Sequence, residues 1–349
     1  FPRYLDSAQF YKKKNIDKSI AAIEKMLLNS VTKKRRAIGY KELGDVYFYW
    51  KQYDLAEENY IVSLKETNTS NVLFLLANTQ FLLKKYKESE SNYKASLRFK
   101  TSVYEQLKAY QGLGDIFIAT KQYSKASSNY NKALEIAKSN YVTPKITDLN
   151  SKLAEVFAAQ GKTQKADGYF QNSLKLASKE NKKRALKEQQ KVADFYNLSR
   201  RYDDEIQLRK QSLVEADEIN VETKDKESLV DSITPQKINY KIGNAYIQKE
   251  SYNEAIPFFK KSIKEAGEKE DLIIQKDATR RLSEVYATVG DYTKALESYQ
   301  DYVKLVDTLY SKKEQEIARQ YNRRTDFQRL KPAPKESPEE KRAKEFGKY

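Results

Sequence analysis

The sequence has no cysteine and no histidine. The first absence removes disulfides and thiolate nucleophiles, and the second removes the imidazole base. Zinc sites built on those ligands, Ser-His-Asp triads and Cys-His catalysis are therefore excluded. Glycine (10) and proline (7) are scarce among 349 residues, and three of the prolines fall in the last 19. So few breakers over the first 330 residues predict a chain that is mostly helix. The longest apolar stretches, such as Val72 to Ala77, fall far short of the roughly 18 residues a membrane span needs. Mean hydropathy is −0.84, so the chain as given reads as soluble. The first residue is Phe1, not Met, which reads as a processed or truncated chain in which no signal peptide is visible. The absence of cysteine fits an exported protein.

Hydrophobic residues still make up 39% of the chain, enough for a core. Basic residues outnumber acidic ones by 65 to 49, a formal charge of +16, and tyrosine is frequent at 27. A repeat organises all of this. LGDVYFYWKQYDLAEENYIVSL (Leu43 to Leu64) returns as LGDIFIATKQYSKASSNYNKAL (Leu113 to Leu134). Further copies run from Leu153 to Leu174, Ile242 to Ile263 and Leu282 to Val303, with weaker ones at 6–27, 76–97 and 192–213. The late aromatic or long residue of each copy falls at Ile23, Tyr60, Tyr93, Tyr130, Phe170, Arg209, Phe259 and Tyr299, in steps of 33 to 50 residues.

Within a copy, apolar residues recur every three or four positions, the period of one helix face. Breaks at Lys51-Gln52, Gly161-Lys162 and Gly290-Asp291 turn one helix into the next. A small residue on the first helix (Gly44, Ala77, Gly114, Ala154, Ala193, Gly243, Ser283) admits the second helix closely, and an alanine on the second (Ala56, Ala126, Ala166, Ala255, Ala295) fits the same crossing. Such a pair cannot bury its face alone, so stacking is required.

These residues resemble the tetratricopeptide repeat. The roughly 40-residue step with Leu-Gly-Asp-x-Tyr is similar to the arrays of bacterial sensor and regulatory proteins. The resemblance covers residues 4 to 305 and implies an all-α, right-handed superhelical solenoid of about eight antiparallel helix pairs. It divides the chain into a solenoid (1–305), an extended or capping helix (306–330) and a charged, proline-containing tail or linker (331–349). Leu296, Tyr299, Val303, Val306, Tyr310 and Ile317 continue the helical spacing past the last repeat, as a cap or as the start of a dimeric coiled coil. Glu205 and Arg209 stand where alanine and an aromatic belong, which predicts looser or more exposed packing there. Thr143-Pro144 and Thr234-Pro235 read as an N-cap followed by proline at the first helical position, and Pro257 as a first-turn proline. Residues 219–234 read as an inserted loop or short helix.

First helices line the usual binding face of such solenoids. Positions three or four from the packing residues place Tyr4, Tyr11, Lys41, Asp45, Phe48, Phe74, Asn78 and Phe81 on it, an aromatic groove with polar anchors suited to a peptide or partner helix. The same face continues through the more polar Gln111, Asp115, Ser151, Glu155, Gln190, Asp194, Tyr240, Asn244, Arg280 and Glu284. Packing between first helices explains the aromatics equally well. The recurrent acid after the small residue reads better as one half of a surface pair with Lys41, Lys152, Lys191 or Arg280 than as an acidic ladder. Some family members grip a C-terminal carboxylate of heat-shock chaperones with a Lys/Asn/Asn/Lys/Arg clamp. Here Asp45, Leu75 and Gly112 replace its members, so that partner class is not expected.

Paired carboxylates such as Asp203-Asp204 and Glu57-Glu58 read as helix surface, with no metal loop around them. The expectation is a non-enzymatic scaffold or sensory module with no cofactor and no metal site, binding a protein or peptide. A link to a membrane or envelope assembly stays open, and so does the oligomeric state. A periplasmic or envelope-associated place is favoured over a cytoplasmic one. The alternative is an RNA- or anionic-polymer-binding protein. Against it, the basic runs (Lys12–Lys14, Lys33–Arg36, Lys182–Arg184, Arg200-Arg201, Arg323-Arg324) are dispersed among acids, and nucleic acid is the weaker partner class.

Overall fold

A computed structural model describes residues 2–222 and 233–330, with the side chains of 219–222 and 320–330 left aside. The expected tail at 331–349 and residues 223–232 of the expected insertion at 219–234 lie outside the described residues, and residues 219–222 are the end of a helix. Among the described residues there are sixteen helices and no strand, an all-α helical-repeat fold as the repeat predicts. No helix among them is long and apolar enough to cross a membrane.

The chain forms two compact units, Phe1–Ser199 and Arg200–Tyr349. The first holds five helix pairs and one further helix. These are α1 (Pro2–Tyr11) with α2 (Ile16–Leu28), α3 (Lys33–Tyr49) with α4 (Tyr53–Glu66), and α5 (Ser70–Leu82) with α6 (Tyr86–Ser96). Then come α7 (Val103–Ala119) with α8 (Tyr123–Ser139), α9 (Thr143–Ala159) with α10 (Thr163–Glu180), and α11 (Lys182–Leu198). The second unit holds α12 (Tyr202–Glu222), the pair α13 (Pro235–Gln248) and α14 (Tyr252–Glu268), and the pair α15 (Leu272–Thr288) and α16 (Tyr292–Leu330).

The pairing follows from two small-residue positions. A Cβ on Gly44 would stand 2.6 Å from the Tyr60 ring, and one on Gly114 would stand 2.4 Å from Tyr130. Both tyrosines are fully buried, and so are Ala56 and Ala126 one turn earlier. Each second helix therefore lies against its first helix at a distance only glycine or alanine permits. In two pairs a serine three residues after the aromatic then latches the helices. Ser63 donates to the Ala37 carbonyl at 2.7 Å, and Ser262 donates to the Gln236 carbonyl at 2.8 Å.

The breaks fall where expected, but lysine often takes the left-handed position that glycine prefers. Lys51, Lys84 and Lys121 have φ of 60°, 60° and 57°, and Gly161 has 72°. The Gln52 N–H reaches back to the Tyr47 carbonyl at 2.9 Å, satisfying an end-of-helix acceptor and offsetting the backbone strain.

Several expectations need correction. Thr143 is the first residue of α9 and Pro144 the second, with Val142 at the N-cap, because the turn after Tyr141 begins the helix one residue early. Thr234 is an N-cap with Pro235 first, as expected, but its side chain makes no capping bond. Pro257 lies inside α14, past the first turn, since that helix already starts at Tyr252. Glu57 is not surface: it is buried, accepting from Gln80 at 3.1 Å and from Lys85. The packing at Glu205 and Arg209 is not looser. Both are about 1% exposed, and the guanidinium Nε donates to Glu205 Oε1 at 2.8 Å. A charged pair one helical turn apart fills the slots of the alanine and the aromatic, and each charge makes the other's burial tolerable.

Candidate functional site

The first helices of unit 1 form one layer, in which α5 meets α7 and α9 meets α11. The eight residues expected in the aromatic groove lie on this layer, on α1, α3 and α5, and each is half-buried. Lys41, Asp45 and Phe48 share one face of α3 at three- and four-residue intervals, and Phe74, Asn78 and Phe81 take the equivalent places on α5. Tyr4 and Tyr11 lie on α1, and the Lys18 ammonium stands over the Tyr11 ring at 5.3 Å.

The structure brings Lys41 and Asp45 together in a wider cluster. Lys41 donates to Asp45 at 2.9 Å and Lys12 does so at 3.2 Å, while the Tyr60 hydroxyl donates to the other carboxylate oxygen at 2.7 Å. The cluster recurs two pairs further on, where Tyr130 donates to Asp115 at 2.6 Å and Lys152 reaches the same carboxylate at 3.3 Å. These acids are thus engaged inside the layer. Burial alone would lower the Lys41 ammonium, but Asp45 and Glu42 outweigh it and hold it above its ordinary value. Lys152 is held up in the same way by Asp115 and Glu155. Burial, followed by the adjacent Asp45 or Asp115, raises the Tyr60 and Tyr130 hydroxyls well above theirs.

The aromatics are braced but not covered. Phe48 meets Tyr53 edge-on at 5.4 Å, and Phe81 meets Tyr86 at 5.8 Å, each across the turn of its own pair. Phe74 lies 5.6 Å from Tyr93, with the Lys108 ammonium 5.7 Å above its ring. One side of each ring packs on its own pair, and the rest remains accessible. Of the more polar continuation, Ser151 is fully buried and receives Lys191 at 2.9 Å, so it presents nothing to a ligand.

A second feature was missed in the sequence. The turns inside the pairs open on one edge of unit 1, and they carry exposed Lys13, Lys14, Lys51, Lys84, Lys121 and Lys162. The basic residues look dispersed along the chain, yet Lys51, Lys84 and Lys121 take the same left-handed position in three turns, and Lys162 directly follows that position, held by Gly161, in the next turn. In unit 2 the α13–α14 turn has Glu250 at that position, beside Lys249, and the α15–α16 turn has Gly290 there, followed by Asp291. Unit 2 also has a cavity of about 480 Å³ between α14, α15 and α16, lined among others by Ile263, Lys264, Leu282 and Lys304. No group of three or more acidic residues that could hold a metal ion occurs among the described residues.

Comparison with known proteins bears on the fold. Residues 67–139, 149–185 and 236–268 each match a model of the tetratricopeptide repeat. Among solved structures, the chain resembles a signal-transduction ATPase with numerous domains and a tetratricopeptide repeat sensor from Pyrococcus horikoshii. That match has a TM-score of 0.61 and 13% identity, over 87% of this chain and 48% of the other. It also resembles the APC/C hetero-tetramer Cut9–Hcn1, with a TM-score of 0.52 and 18% identity over 80% of this chain and 48% of that one. A Rap protein complexed with Competence and Sporulation Factor matches at a TM-score of 0.49 and 15% identity, over 88% and 85% of the two chains. At these identities the likenesses show a fold and no activity. No curated protein matches the sequence.

Proposed function

This chain is a tetratricopeptide-repeat protein, and we propose that it is a protein-interaction scaffold whose unit 1 receives an extended peptide or a partner helix across α1, α3 and α5. The observation that carries this reading is the half-exposed row of Phe48, Phe74 and Phe81, each held by a neighbouring ring. Rings already fixed by packing lose little freedom on binding, which favours them as anchors. The Lys41–Asp45 pair beside them supplies charge of both signs at the rim. Asp45 is already engaged by Lys12, Lys41 and Tyr60, so the rings, not this carboxylate, make the new contacts.

A second reading uses the lysine edge of unit 1, which suits a polyanion. One experiment separates the two. Peptides selected from a random display library against the whole chain are titrated at two ionic strengths. Phe48→Ala and Phe81→Ala should each weaken binding by more than about 1 kcal/mol, with a modest effect of salt. Unchanged affinity in both variants, with steep salt weakening, would transfer the function to the lysine edge, because polyanion contacts release counterions.

A further inference from the structure

In the interior pairs, the second helix is covered on two sides, by its own first helix and by the next one. Tyr60, Tyr130, Phe170 and Phe259 are consequently 0, 0, 2 and 0% exposed. α16 carries the same motif, with Ala295 and Tyr299 in the two slots, and packs on α15. Its other face is open. Tyr292, Leu296, Tyr299, Val303, Tyr310 and Ile317 are between 40 and 73% exposed. With the half-buried Val306, and with Lys313 between Tyr310 and Ile317, these positions follow steps of four and three, the seam of a coiled coil. The seam also outruns its support. α15 has 17 residues and α16 has 39. Counted from the shared turn, α15 ends opposite about Thr308, so Tyr310 and Ile317 lie beyond it.

We propose that α16 is a self-association helix whose seam is closed by α16 of a second copy of this chain, lying antiparallel. The seam from Tyr292 to Ile317 needs a covering helix of about 26 residues, or about 39 Å. No other described helix of the chain exceeds the 21 residues of α12. α16 alone among the described helices has both the length and the matching steps, and a two-fold pair makes one such surface complementary to itself. Direction follows from the seam's one charge, Lys313. Parallel copies in register would set Lys313 against Lys313. An antiparallel pair centred between Lys304 and Leu305 sets Tyr299 opposite Tyr310, Val303 opposite Val306 and Tyr292 opposite Ile317. Lys313 then lies along Leu296, its stem on the apolar surface and its ammonium in water. Antiparallel is also the direction in which α15 covers α14.

Sedimentation equilibrium of the full chain from about 1 to 100 µM, a range that brackets ordinary dimer affinities, should show a dimer. The double variant Tyr310→Glu/Ile317→Glu lies past α15, so at concentrations where the wild type is monomeric it should keep the wild-type helicity and melting temperature, while the dimer weakens at least about tenfold. Because the chain has no cysteine, engineered ones report direction cleanly. Tyr292→Cys mixed with Ile317→Cys should oxidise to a mixed disulfide, and Ile317→Cys alone should not cross-link. A chain that stays monomeric throughout the range, a dimer indifferent to the double variant, or a ready Ile317→Cys homodisulfide would each overturn the proposal.

Discussion

α14 and α16 carry the same motif, yet Phe259 on α14 is fully buried while Tyr299 on α16 is 52% exposed. The ring of Phe259 lies against Gly243 and 6.0 Å from Tyr240 on α13, in a core that α15 completes with Ala278 and Leu282. Tyr299 has α15 on one side and its own neighbour Tyr302 at 5.8 Å. The motif therefore specifies how two helices pair, and the helix that follows decides what the aromatic is worth. α12 makes the same point with other chemistry, since Arg209 takes the aromatic's slot and is buried beside Glu205.

The largest effect that could break this comparison lies in α12. Glu205→Ala restores the alanine of the motif but takes the Glu205 carboxylate away from a buried guanidinium, and should cost about 3–5 kcal/mol. Glu205→Ala/Arg209→Tyr restores both slots and should recover most of that loss in denaturant unfolding. A single variant as stable as wild type would mean that the slots are not equivalent.

Next in size is Gly114→Leu. The new side chain must enter where a Cβ already stands 2.4 Å from Tyr130, and the strain should cost about 1–3 kcal/mol. No loss would place the helix crossing elsewhere. Ser63→Ala removes the latch to the buried Ala37 carbonyl and should cost about 1 kcal/mol.

The smallest effect is a pH dependence in alkali. The folded state holds Tyr60, Tyr130, Lys41 and Lys152 above their ordinary values. Above about pH 10 the unfolded chain releases protons that the folded chain keeps, so this stabilisation is complete below that pH and falls as pH rises further. Tyr60→Phe/Tyr130→Phe should flatten the fall, as read from melting temperatures between pH 8 and about 11.

The fold was legible because its determinants are local and repeated. Spacing places the helices, and the paired small residues predict the close crossings at Gly44 and Gly114. The site was less legible, because it depends on which surfaces meet. The 15-residue interval from Asp45 to Tyr60 recurs from Asp115 to Tyr130, but only the folded pair shows that hydroxyl and carboxylate bond. Glu205 and Arg209 are four apart, the spacing of a helical ion pair, yet spacing is silent on burial. The lysine edge was hidden because its members are some 37 residues apart in sequence and share only a turn position.

The most direct measurement is the cost of Phe259→Ala against that of Tyr299→Ala, each followed by denaturant unfolding of the full chain at a concentration low enough to keep it monomeric. A motif that fixes pairing while the next helix fixes burial predicts about 3–5 kcal/mol for the first and less than about 1 kcal/mol for the second. Equal costs at the two positions would contradict it.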